Sequence, residues 1–146
     1  MQKIVLGKGI GLLVIVLIAT SVTPAFALTE LERATIEDPK LVNAFGAAIG
    51  NNINVDQQIQ IAADITNNQE KSQKFNYLVQ VKDSEDIVVK VAWFSGELNP
   101  QQKWNTSVFW VPQSAGEFTA EIFVWEGFPV NHRGLSEPVN IQISVS

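Results

Sequence analysis

From residue 57 onward, apolar and polar positions alternate along most of the chain. "QQIQIAADIT" puts Ile59, Ile61, Ala63 and Ile65 on one side, with Gln58, Gln60, Ala62 and Asp64 on the other. "KFNYLVQVKD" repeats the pattern, with Phe75, Tyr77, Val79 and Val81 set against Asn76, Leu78, Gln80 and Lys82. A period of two is that of a β-strand with one buried face. "IVVKVAWF" groups Val89, Val91 and Trp93, and "KWNTSVFWV" groups Trp104, Thr106, Val108 and Trp110. "FTAEIFVWEGF" groups Phe118, Ala120, Ile122 and Val124, and "VNIQISV" groups Val139, Ile141, Ile143 and Val145. The intervening stretches "NNQEKSQ", "SED", "SGELNPQ", "PQSAGE" and "PVNHRGLSEP" carry turn and loop chemistry. Six strands are clear. A seventh is expected near the start of residues 41–56, an extended lead-in broken at Gly46 and at Gly50-Asn51-Asn52.

Turn signals recur at roughly the 8–12 residue spacing of an all-β sandwich, and nothing after residue 27 sustains a helical period. The expected fold is an all-β, immunoglobulin-like antiparallel β-sandwich of about seven strands. A closed barrel is the alternative. Residues 28–40, charged and ending near Pro39, read as a linker, so the domain is placed at 41–146.

One strand breaks the pattern. "EIFVWEGF" carries bulk on both faces. Parity assigns Ile122 and Val124 to the core, together with Phe75, Tyr77, Trp93, Trp104, Trp110 and Phe118. It leaves Leu78, Phe123 and Trp125 on the opposite side of their strands. In an immunoglobulin-like order the Tyr77 and Val124 strands pair, with the last strand beside them. The three residues then share an outer sheet face with Asn140, Gln142 and Ser144. A contiguous apolar cluster on such a face marks an interface. The competing expectation is that segment 28–50 folds over it through Leu41, Val42, Phe45 and Ile49.

The first residues change the cellular picture. "MQKIVLGK" carries Lys3 and Lys8, "IGLLVIVLIA" is an apolar run, and "SVTPAFA" ends in an A-x-A pattern. This is the layout of a helical signal peptide over residues 1–27, cleaved after Ala27. The run is short of the roughly 20 residues of a membrane span. Membrane contact is expected only if the segment stays uncleaved as an anchor. The expected location is extracellular or at the cell surface. Losing Lys3 and Lys8 takes the net charge from −5 to −7. An acidic chain is a poor ligand for nucleic acid, whose binding rests on phosphate neutralisation.

Candidate chemistry is sparse. Cysteine is absent, which removes disulfides, thiolate metal sites and a cysteine nucleophile, and His132 is the one histidine. Asp83, Glu85 and Asp86 are weak candidates for a cation site, as is His132, but the EF-hand spacing is missing. Asp64, Glu121 and Glu126 are the carboxylates available for a hydrolytic pair, and nothing in the sequence sets their separation. No nucleophile elbow, phosphate loop or dinucleotide fingerprint occurs. Asn105-Thr106-Ser107 is the one N-x-[ST] sequon, which makes Asn105 a candidate glycosylation site. No cofactor and no catalysis are expected.

The segments "VDQQIQIAADITNNQEKSQKFNYLVQVKD", "VAWFSGEL", "WNTSVFWVPQSAGEFTAEIFVWE" and "GLSEPV", in that order, resemble the single β-sandwich units of secreted proteins from ammonia-oxidising archaea. The resemblance spans nearly all of residues 41–146. It implies an immunoglobulin-like or CARDB-like surface module (a cell-adhesion related domain) and brings no activity with it. The expected role is therefore binding or assembly through the outer face bearing Leu78, Phe123 and Trp125. The expected partner is an envelope or extracellular protein, or a surface polymer. A carbohydrate-binding module using Gln80 and Gln142 beside the aromatics is one alternative. A cation- or copper-handling envelope protein is the other.

Overall fold

The computed structural model describes residues 26–130 and 133–146. Most of the expected signal peptide (residues 1–25) and His132 lie outside the described residues. After a short 3-10 turn at Glu30–Glu32, the strands are β1 (Ala34–Val42), β2 (Ala48–Ile49), β3 (Asn52–Ile53), β4 (Ile59–Asn67) and β5 (Gln73–Asp83). Then follow β6 (Val88–Leu98), β7 (Lys103–Trp110), β8 (Gly116–Trp125) and β9 (Val139–Val145). They form two sheets, β2-β1-β4-β7 and β3-β9-β8-β5-β6. Every pairing is antiparallel except the short parallel contact of β3 with β9. This is a two-sheet sandwich and not a closed barrel. Seven of the nine strands have seven or more residues.

The core lies between the sheets and is built from the alternating sets. Ile59, Ile61 and Ile65 of β4 face Tyr77, Val79 and Val81 of β5, Ile122 and Val124 of β8, and Ile143 of β9, all essentially inaccessible to water. Tyr77 also fastens the sheets: its hydroxyl donates to the Ile61 carbonyl at 3.2 Å, and burial pushes the phenol well above its ordinary range. Leu135, from the long β8–β9 connection, is buried in the same core. Its carbonyl accepts from the Ala34 amide at 2.8 Å and its amide donates to the Val124 carbonyl at 2.8 Å, so this part of the loop is held like a strand.

Three expectations need correction. The stretch read as a linker contains most of β1, with Ala34, Ile36, Leu41 and Val42 buried. A bulge between Glu37 and Lys40 contains Pro39 and Asp38 at φ 49°. The register shift moves the core residues from even to odd positions and hides the period. Leu41, Val42 and Ile49 accordingly belong to strands of the other sheet and do not cover the Phe123 face, and Phe45 is 95% exposed.

The second correction concerns β6. Trp93, Val91 and Val89 are 40% to 49% exposed and do not enter the core. The inward residue is Phe94, which faces Tyr77 in register and stacks on it at 5.7 Å between ring centroids. The third correction is Trp104, which has the expected parity yet remains 42% exposed because β7 is an edge strand. Its ring meets Phe75 and Phe94 edge-on at 5.9 and 5.7 Å.

Gly96 makes that edge-on cluster possible. A Cβ there would meet two Phe75 ring carbons at 2.9 Å and a Trp104 ring carbon at 3.4 Å. Phe75 is 1% exposed and has nowhere to go. Gly96→Ala should therefore destabilise the fold by about 1–3 kcal/mol, the cost of overpacking a filled core. Urea unfolding measures it, and an unchanged midpoint would show that the cluster is loosely packed.

Candidate functional site

β5 and β8 are each hydrogen-bonded on both sides, so the residues that do not face the core must face outward together. Leu78 sits opposite Phe123 on β8 and opposite Trp93 on β6; Asn76 sits opposite Trp125 and Ser95. Leu78, Phe123 and Trp125 are thus brought together on the outer face of the five-stranded sheet, as parity predicts. Leu78 is buried beneath its neighbours, Phe123 and Trp125 are half-buried, and Trp93 is half exposed at the margin. The Phe123 and Trp125 rings lie 5.5 Å apart.

Cover comes from the β8–β9 connection. Phe128 folds back so that its ring is 4.9 Å from Trp93, edge to face, and 6.0 Å from Trp125. The loop is anchored at its base by a bridge between Trp125 and Gly134 and by the Glu126 amide, which donates to the Arg133 carbonyl at 2.8 Å. Arg33 reaches Glu126 at 3.5 Å and ties the N-terminal turn to this base. Trp93 and Phe128 are the members of the band that alternation did not reveal. The signal for Phe128 was its position in a Gly-Phe-Pro step just beyond β8.

Beside exposed Val91, the rest of the face carries several polar side chains that bond to one another. Gln80 donates to Glu121 at 2.8 Å, and Lys82 pairs with the same carboxylate at 3.2 Å. Thr119 donates to Gln142 at 3.0 Å, Ser144 to Glu117 at 2.7 Å, and Ser95 to Asn76 at 2.7 Å. The outer face therefore divides into an aromatic band and a mainly polar field with cross-strand hydrogen bonds.

The remaining candidates are dispersed. The Asp83 carboxylate accepts the amides of Glu85 and Ile87 at 2.9 Å and shapes the β5–β6 turn, with Asp86 at φ 63°. Those bonds use Asp83 as a turn former. No group of three or more metal-binding side chains forms among the described residues. Asp64 and Glu121 lie on different sheets and are not brought together. Asn105 is exposed on β7, directly opposite Asp64, and its amide donates to that carboxylate at 2.7 Å. Lys103 approaches Asp64 at 3.4 Å and Glu37 at 3.1 Å. No helix among the described residues is long and apolar enough to cross a membrane.

With the geometry set out, the chain can be compared with known proteins. No protein-family model matches the sequence, and the search of curated proteins gives no match. Solved structures do match. The CARDB domain of a Pyrococcus furiosus protein, solved in complex with di-metal ions, superposes with a TM-score of 0.55 at 13% identity, over 82% of this chain and 97% of that one.

The fold is a CARDB-like sandwich.

The C-terminal domain of Wzt gives a TM-score of 0.66 at 11% identity, over 81% of this chain and 76% of that one. A Paenibacillus cycloisomaltooligosaccharide glucanotransferase, complexed with cycloisomaltoheptaose, gives 0.59 at 15% identity. There the match covers 76% of this chain and 14% of the enzyme. At these identities the likeness is one of fold, and function has to be read from the side chains of the CARDB-like sandwich in hand.

Among those side chains, Asp64 gives a direct test of local electrostatics. The Asn105 amide, followed by Lys103, holds its carboxyl below the usual aspartate range. A group with a lowered folded-state pKa stabilises the fold above its unfolded value, and that contribution is lost as pH falls through the folded value. Asn105→Ala should move the Asp64 carboxyl upward in an NMR titration. The urea-unfolding gap from wild type should be widest near neutral pH and shrink as pH falls below the ordinary aspartate value of about 4. A gap that stays constant across this range would contradict the linkage.

Proposed function

We propose that the protein is a secreted or cell-surface binding and assembly module, without catalysis, and that it engages an extracellular or envelope protein through the Trp93–Phe123–Trp125–Phe128 band. One observation carries the reading: the aromatic band is concentrated at one end of an otherwise mainly polar sheet face. Such a surface offers apolar contact with a polar rim, the layout of a protein interface core. Covering the exposed half of Trp93, ~100 Å² at about 25 cal/mol per Å², would contribute ~2.5 kcal/mol. That is the scale of an interface hot spot.

The carbohydrate alternative called on Gln80 and Gln142 to meet sugar hydroxyls. Both amide side chains are engaged, with Glu121 and Thr119 respectively. Each of these bonds occupies only part of the amide, so the saccharide array below is what separates the two readings. The cation-handling alternative finds no clustered ligand set among the described residues.

The test compares wild type with Trp93→Ala, which removes the most exposed ring of the band while leaving the core intact. Affinity capture from envelope extracts should recover partners with wild type that are lost, or weakened by roughly tenfold or more, with Trp93→Ala. Asn105→Ala, on the other sheet, should recover them normally. Identical recovery by wild type and Trp93→Ala refutes the reading. Binding on a saccharide array that Trp93→Ala abolishes would replace it with the carbohydrate alternative.

A further inference from the structure

Asn105-Thr106-Ser107 is the one N-x-[ST] sequence of the chain, and the proposed function makes no use of it. Such a triplet alone permits glycosylation without requiring it. A sugar chain is bulky and has to leave the protein into water, so the fold decides whether the site can carry one.

The triplet lies within β7, with Asn105 opposite Asp64, Thr106 opposite Ala63 and Ser107 opposite Ala62. Thr106 is 5% exposed and points into the sandwich. Asn105 therefore points to the outer side of the four-stranded sheet, where it is exposed. A shift of one residue would have set this asparagine against the core, where no glycan fits. Its outward neighbours on the strand are Ser107 and Lys103, whose side chain is 54% exposed. β7 is also an edge strand, paired with β4 alone, so one flank of Asn105 has no neighbouring strand.

The local hydrogen bonds tolerate substitution on the amide nitrogen. Asn105 donates to Asp64 at 2.7 Å. A glycosylated asparagine keeps one N–H on Nδ2, so a donor for Asp64 remains. The Ser107 hydroxyl, which completes the triplet, donates to Gln60 at 2.6 Å. Both partners belong to β4, so an emerging chain offers the amide and the hydroxyl free until β7 docks.

We propose that Asn105 is an N-glycosylation site that carries its glycan on the outer face of the four-stranded sheet. The co-reactant is an oligosaccharide on a lipid phosphate, delivered by a transferase outside the cytoplasm. Nδ2 forms a bond to the anomeric carbon, and the bond from that carbon to the donor's phosphate oxygen breaks. The lipid phosphate leaves with the electron pair, and one Nδ2 proton passes to a base of the transferase. The glycan then stands on the sheet opposite the Trp93–Phe123–Trp125–Phe128 band and leaves that band open. In mid-strand it also obstructs the pairing of a further strand along β7, a protection that an edge strand needs.

The inference rests on the proposed secretion, and its test reads location and modification separately. The full chain is produced in its native cells and recovered from medium, envelope and cytoplasmic fractions. Its peptides are then sequenced by mass spectrometry. The exported chain should carry a mass excess of whole sugar residues on Asn105. Ser107→Ala keeps the asparagine but removes the hydroxyl, and should lose the excess; Ser107→Thr should retain it. The peptide mass is read whether or not a variant folds. An exported chain with unmodified Asn105 overturns the site and leaves secretion standing, whereas a chain confined to the cytoplasm overturns both. Sugar that persists on the Ser107→Ala chain, or that maps to another residue, also overturns the assignment.

Discussion

A strand hydrogen-bonded on both sides cannot turn its side chains independently, and the structure depends on that constraint at β5 and β8. Placing Tyr77 in the core places Leu78 outside. Pairing Tyr77 with Val124 pairs Leu78 with Phe123. The inward set closes the sandwich, and the outward set is an unavoidable consequence of the same register. A one-residue slip would exchange the two faces and expose the core. The outer aromatic residues could only be covered in place, which is what Phe128 does in part by folding back from the end of β8.

Legibility of the fold follows burial. β4, β5, β8 and β9 each bury one face against the other sheet, and their alternation could be read directly: Ile59 to Ile65, Phe75 to Val81, Phe118 to Val124 and Val139 to Val145 all point as the pattern requires. The reading failed where that constraint is weak. β6 is an edge strand, and its Val-Val-Lys-Val run gives no burial contrast from which to choose a face. Shared parity with Val89 and Val91 then put Trp93 in the core, while the register with β5 puts Phe94 inside instead. β1 failed for a different reason, because the bulge at Asp38-Pro39 moves its apolar residues from even to odd positions in mid-strand.

The candidate site divides in the same way. Leu78, Phe123 and Trp125 were visible because they sit on central strands whose core parity is unambiguous. Trp93 and Phe128 were not, one lying on an edge and the other in a loop. The pairing of Gln80 with Glu121 and of Asn105 with Asp64 depends on strand register between distant segments, which alternation within one strand does not contain. These pairs matter for the functional reading. They turn amides and carboxylates that look available in the sequence into groups already satisfied in the fold.

Trp93 shows how the outer face is completed from the edge. Its register opposite Leu78 sets its ring on that face, where Phe128 meets it edge to face. The bulk that "EIFVWEGF" places on both sides of β8 divides by face: Ile122 and Val124 close the domain, and Phe123 and Trp125 join Trp93 and Phe128 in the outer band.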